Sequence, residues 1–190
     1  MTHPEQTRVI VTGDVDGSAD YREHLIDSEV EFDEDGHPAY LASQLWGTPD
    51  GIATVGSGVD PEQVTLPWFP EPGGIRFRLF TFQPMSETAE EPSATRDGSD
   101  IVASREQSNF LDAYDAARPG VHISDSVDFV HILSGEIVLE LERREVLLKP
   151  GDMVVMRGTW HKWRNESAEP CTVSSVMVGA KRLFPESRSA

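Results

Sequence analysis

Hydrophobic and polar positions divide the chain into a sparse first half and a dense, regular second half. From residue 121 to 179 short apolar runs recur at 121–124, 127–133, 136–142, 145–148, 152–157, 160–164 and 171–178. Ser134-Gly135, Arg143-Arg144, Pro150-Gly151, Gly158 and the stretch NESAEP separate them. Strands this short, with turn residues at this spacing, predict an all-β sandwich or barrel.

The first half carries fewer signals. RVIVT at 8–12 reads as a short β-branched strand running into the turn-rich GDVDGSAD, and residues 20–37 are mostly acidic and end in the loop signal DEDGHP. AYLASQLWGT at 39–48 reads as a strand closing at Gly47. Residues 49–74 are rich in Gly and Pro, and LPWFPEPGG there forms a compact loop with two aromatics. IRFRLFTFQP at 75–84 is a clearer strand, ending at Pro84 where the ladder loses its donor. Residues 85–105 lack periodicity and read as an exposed loop. SNFLDAYDAARPG predicts a short helix with Ser108 or Asn109 as its cap and Pro119-Gly120 as its stop.

Composition narrows the class. The 190 residues, 38% of them hydrophobic, suffice for one domain with a single sizeable core. Mean hydropathy is -0.37, and no apolar run approaches the length of a membrane span. The start MTHPEQTRVIV lacks the basic and apolar regions of a secretory signal, so a cytoplasmic location is expected. Cys171 is the single cysteine, which excludes an intrachain disulfide and a cysteine-rich metal site, and it reads as a small buried hydrophobe. The formal charge of -17 opposes nucleic acid and anionic membranes as partners. A small-molecule substrate is the expected partner.

Candidate chemistry lies in the dense half. Residues two apart share a strand face. If Val130 and Ile132 point inward, Asp128 does too and His131 points out, as a packing or interface residue. His122 and Ser124 share one face, and so do His161 and Trp163, opposite Trp160 and Lys162. An interior set of His122, Asp128 and His161 suits a divalent first-row metal with open positions. It equally suits metal-free acid–base catalysis in which Asp128 orients an imidazole. Ser124 is a candidate for binding substrate or a metal-bound water, and Trp163 for the wall of a planar-ligand pocket. Arg76 and Arg78 alternate with Ile75, Phe77 and Leu79, so one face of that strand is basic. The ordinary reading is a solvated face, while an inward arginine would suit a carboxylate or phenolate substrate.

Two motifs resemble those of the cupin superfamily. GDMVVMRGTWHKWRN is similar to its second motif, with Gly151, Gly158, His161 and Asn165 in the characteristic places. HISDSVDFVHILSG is similar to the first, with His122 as the first histidine, Asp128 where a glutamate stands and Gly135 seven residues later. KPGD precedes the second motif. The chain departs from the pattern at Ser124, which replaces the second histidine, at Ala116 in place of the opening glycine, and at Met156 in place of a proline. The Gly151–Gly158 spacing is also one residue short.

The resemblance implies a single-domain cupin, a double-stranded β-helix barrel of jelly-roll type with an N-terminal strand and loop extension and one short helix. Residues 1–105 are then the extension within the same domain, 106–180 the conserved barrel and 181–190 a polar tail. A homodimer is expected, as is common in this fold. His122, Asp128 and His161 would hold one divalent metal (Fe, Mn, Zn or Ni) for oxygenase, isomerase or lyase chemistry on a small, aromatic or polyketide-like substrate. Two alternatives stand beside it: a metal-free enzyme in which His161 and Asp128 act as acid and base in hydrolysis, dehydration or isomerisation, and a ligand-binding barrel without turnover. Asn165 is expected to cap the turn after its strand.

Overall fold

The structure is a computed structural model that describes residues 6–32, 38–55, 66–85, 113–115 and 117–183. Eleven strands are present among them. β1 (Gln6–Val15) and β2 (Ser18–Asp27) form a separate antiparallel hairpin. β3 (Glu29–Phe32), β4 (Pro38–Thr48) and β5 (Ile75–Phe82) come next, followed by β6 (Ser126–Ser134), β7 (Ile137–Leu141), β8 (Arg144–Leu148), β9 (Met153–Arg157), β10 (His161–Arg164) and β11 (Cys171–Gly179). A six-stranded sheet has the order β3-β4-β5-β11-β6-β9, and a three-stranded sheet the order β10-β7-β8.

Alternation along β6 builds the interior. Asp128, Val130 and Ile132 are buried, whereas Phe129 and Leu133 are exposed on the other side. Ile137 and Leu139 from β7, Met156 from β9 and Val173 from β11 join Val130 and Ile132 in one cluster. Burying a side chain of this size stabilises by about 1.5–3 kcal/mol, which makes this cluster the main support of the fold. Gly135 turns β6 into β7 at φ 72°, and a Cβ there would lie 2.4 Å from the Pro170 carbonyl oxygen, so glycine is required. Cys171 is fully buried, and burial pushes its thiol up to about 11.

The acidic stretch after residue 18, which carried no strand signal, forms β2 and pairs with β1 along its whole length, from Gln6↔Asp27 to Val15↔Ser18. Asp16 (φ 53°) and Gly17 (φ 79°) make the two-residue turn, the conformation that Asp-Gly favours between twisted strands. The acidic side chains Asp20 and Glu23 stay exposed, so pairing does not desolvate them. The run 121–124 contributes only a bridge at His122 rather than a strand. The helix expected from Ser108 falls mostly outside the described residues, as does the loop at 86–105; at its described end Tyr114 forms a β-bridge with His122.

The start of the tail is tied down by Arg182. Arg182 donates to Asp125 Oδ1 (2.6 Å) and to the carbonyls of Gly158 (3.0 Å) and Ser124 (3.1 Å), which fixes the segments leading into β6 and β10. Among the described residues, no helix is long and apolar enough to cross a membrane.

Candidate functional site

The two histidines of the sequence pattern are cross-strand neighbours. The N–H of His122 donates to the His161 carbonyl (2.9 Å) and that of His161 to the His122 carbonyl (3.1 Å), an antiparallel bridge that puts both side chains on one face. Their ring centroids lie 4.2 Å apart. Tyr114 extends the row, stacked on His122 at 4.9 Å.

Backbone acceptors fix both tautomers. His122 Nδ1 lies 3.1 Å from the Gly120 carbonyl and His161 Nδ1 2.8 Å from that of Thr159. A carbonyl only accepts, so each Nδ1 carries the proton, and in the neutral ring each Nε2 presents a lone pair. Neither Nε2 has a protein partner among the described residues. Burial, then the neighbouring His122, takes His161 down to about 3, and burial lowers His122 as well. Both rings are neutral near pH 7.

Asp128 stands on β6 between Met177 and Met156 of the flanking strands. It is 4% exposed, and burial raises its carboxyl to about 6, against the opposing pull of the Ser126 hydrogen bond and the Arg78 charge. Ser126 donates to Asp128 Oδ1 at 2.5 Å. That commits the single proton of Ser126, so in the 2.7 Å contact between Ser124 and Ser126 it is Ser124 that donates. A chain of hydroxyls thus runs from Ser124 to Ser126 to the carboxylate. Asp128 Oδ2 has no protein partner among the described residues.

His122, His161, Asp128 and Ser124 line one cavity of about 90 Å³, room for several waters or one ring-sized ligand. Its walls are aromatic. Tyr40, Trp68, Phe80, Phe82 and Trp163 form a connected series with centroid separations of 6.1–6.3 Å, and Trp163 meets His161 edge-on at 6.1 Å. Ser126 and the walls from β4, β5 and the 66–69 loop are not singled out by the sequence. The WF pair in LPWFPEPGG and the aromatic alternation of β5 were their available signals.

Arg76 and Arg78 are corrected on two counts. They are not on a solvated face, being 0% and 1% exposed, and they do not line the cavity. Arg76 donates to the Pro67 and Thr48 carbonyls and to Asp50. Arg78 donates to the Trp68 carbonyl (2.6 Å) and to Gln44 Oε1 (2.7 Å), with its guanidinium 4.1 Å from the centre of the Trp68 ring. Both arginines therefore hold the loop that supplies Trp68. Other expected residues lie away from the cavity. Trp160 meets Arg118, and His131 is half-buried on the outer face, opposite Met153. Asn165 caps its turn, donating to the Phe82 and Glu169 carbonyls and accepting from Ser167.

The two imidazoles, each with a free Nε2, have the donor chemistry of a first-row metal site. The third expected ligand does not join them. Asp128 is bonded along its own strand to Ser126, and among the described residues no three His, Cys, Asp or Glu side chains converge to hold an ion. His122, Asp128 and His161 line one cavity, with Asp128 held at Oδ1 by Ser126, and Ser124 presents a hydroxyl where the resemblance places a histidine.

Comparison with known proteins follows the same segment. The cupin domain family model matches residues 115–178. The chain is 42% identical to oryzines biosynthesis cluster protein J of Aspergillus oryzae over 59 residues, 30% of this chain and 33% of that protein. It is 47% identical to phomopsin biosynthesis cluster protein D of Diaporthe leptostromiformis over 55 residues, 26% of this chain and 29% of that protein. The matched segment thus spans about a third of each curated relative. Among solved structures, a cupin-2 domain protein of Rhodospirillum rubrum aligns with TM-score 0.44 at 14% identity, covering 85% of this chain and 74% of that one. The TT1209 protein of Thermus thermophilus aligns with TM-score 0.36 at 22% identity, covering 66% and 91%. Residues 115–178 thus carry a cupin domain, and the family likeness extends over that segment of the chain.

Proposed function

We propose that this cupin is a small-molecule enzyme that moves protons without a metal, in isomerisation or dehydration of a planar organic substrate. One observation carries the reading: a buried carboxylate raised to about 6, fed by a hydroxyl chain, shares an apolar cavity with two neutral imidazoles whose Nε2 atoms have no partner among the described residues. The names of the two cluster relatives support a place in small-molecule metabolism. Asp128 is ionised near pH 7 and is the base. Its Oδ2 takes a proton from a carbon next to a substrate double bond, the C–H pair forms a new double bond to the neighbouring atom, the displaced π pair shifts to the far atom, and the same proton is returned there. In dehydration the C–H pair forms the new double bond as the adjacent C–O bond breaks, and the proton leaves with the hydroxyl as water. His122 and His161 accept hydrogen bonds from substrate hydroxyl or amide groups and so orient it.

The test is a screen of hydroxylated aromatic carbonyl compounds by mass spectrometry with the wild type, Asp128→Asn and His161→Ala. Turnover should survive EDTA and fall about 100-fold or more in Asp128→Asn, the usual contribution of a positioned base. Elemental analysis separates this reading from the divalent-metal one. About one Fe, Mn, Zn or Ni per chain, lost in both His122→Ala and His161→Ala, would replace the base mechanism with a metal site. Ligand binding without turnover of any compound would leave a binding barrel.

We further propose that the expected homodimer forms on the outer face of β6 and β9. Phe129, Leu133, Met153 and Val155 are exposed there, and Phe129 pairs with Val155 across the strands. None of these side chains is acidic. In a chain of charge -17, such a face is where two copies meet least repulsion.

A further inference from the structure

The four polar groups at one end of the cavity, His122, His161, Asp128 and Ser124, all present acceptors. His122 Nε2 and His161 Nε2 are bare because their Nδ1 protons are held by carbonyls. Asp128 offers Oδ2, and Ser124, its proton committed to Ser126, offers oxygen lone pairs. Among the described residues, no Lys or Arg side chain lines the cavity. Arg78, whose charge acts on Asp128, is engaged by Gln44 and the Trp68 carbonyl beside the Trp68 ring. The described lining also holds neutral groups that can donate, the indoles of Trp68 and Trp163 and the hydroxyls of Tyr40, Tyr114 and Ser175, and the hydroxyls accept as well.

We propose that this cavity selects a ligand whose polar end donates hydrogen bonds and carries no negative charge, a primary ammonium on an aromatic or planar body fitting best. A carboxylate or phosphate would be buried beside the like charge of Asp128, with no cation in the described lining to pair it and Arg78 already engaged, which is unfavourable. An ammonium brings three donors to a set of acceptors and a charge opposite to that of Asp128. The aromatic walls take the planar body, and their ring faces attract a cation. The preference is opposite to the one that inward-facing Arg76 and Arg78 would impose. It rests on the cavity being the substrate site, as proposed above, but not on turnover.

The experiment is titration of the full chain, treated with EDTA and dialysed, with benzylamine, benzyl alcohol and benzoate at pH 7.5. Tryptophan fluorescence and calorimetry read the binding. Benzylamine should bind about tenfold or more tighter than benzoate, with benzyl alcohol between them. Asp128→Asn should bring benzylamine down to the level of benzyl alcohol, and a thermal melt of that variant checks that it folds. Benzoate binding as tightly as benzylamine overturns the proposal, as does the failure of all three to bind at millimolar concentration. An amine preference in a protein without turnover keeps this proposal and removes the catalytic one. Turnover confined to an anionic substrate does the reverse.

Discussion

The hydroxyl of Ser126 lies 2.5 Å from Asp128 Oδ1 and favours the ionised carboxylate, working against the burial that raises the group to about 6. Removing the donor leaves burial less opposed, so the folded-state pKa of Asp128 must rise. If the ionised form is the base, the acid limb of activity sits near pH 6 in the wild type and moves to higher pH in Ser126→Ala. A pH profile of kcat/KM checks this, and an unshifted limb would separate Asp128 from the chemistry. Ser126 is a positioning residue, since it does not line the cavity. Its role is invisible along the chain because Ser-x-Asp on a strand is common. Only the burial of both side chains turns a routine hydrogen bond into one that sets a charge state.

At the scale of elements, the decisive contact runs between β5 and the loop before it. Arg78 leaves β5 on the cavity side of the sheet, yet its donors go to the Trp68 carbonyl and to Gln44 of β4. That contact holds the loop so that Trp68 and Phe69 close the wall. Arg78→Met keeps much of the volume but strands two acceptors, at about 1–3 kcal/mol each when buried. We expect a loss of about 2–4 kcal/mol in chemical denaturation and weakened binding of aromatic probes. Unchanged stability would show that the guanidinium is incidental to the loop. The basic alternation of β5 was legible in the sequence, but its meaning was not. Arginines facing inward look the same along the chain whether they end in a pocket or in a neighbouring backbone.

For the whole molecule, charge and surface pattern act together. The acidic excess is distributed over exposed positions such as Asp20 and Glu23, while the outer face of β6 and β9 exposes Phe129, Met153 and Val155. Val155→Glu places a carboxylate in the middle of that face and alters no buried residue. Light scattering should give a dimer for the wild type and a monomer for the variant, with the melting temperature of the separated chains little changed. A wild-type monomer at tens of micromolar would refute the interface.

The sequence by itself determined the strands of the barrel and the inward phase of Asp128 and His161, because period-two alternation is written locally and one buried face enforces it. It also carried the turns at Gly135 and Asp16-Gly17, although the hairpin around the latter was obscured by its acidic, solvent-facing side. The tertiary structure alone decided what the inward groups are. It brought His122 beside His161 through a bridge between residues 39 positions apart, committed both Nδ1 protons to carbonyls, and bonded Asp128 to Ser126. It also seated Arg76 and Arg78 behind the aromatic wall. Whether the same residues make a metal site, a proton-transfer site or a cation-accepting pocket depends on a few ångströms of side-chain direction, and those are set by partners distant in sequence.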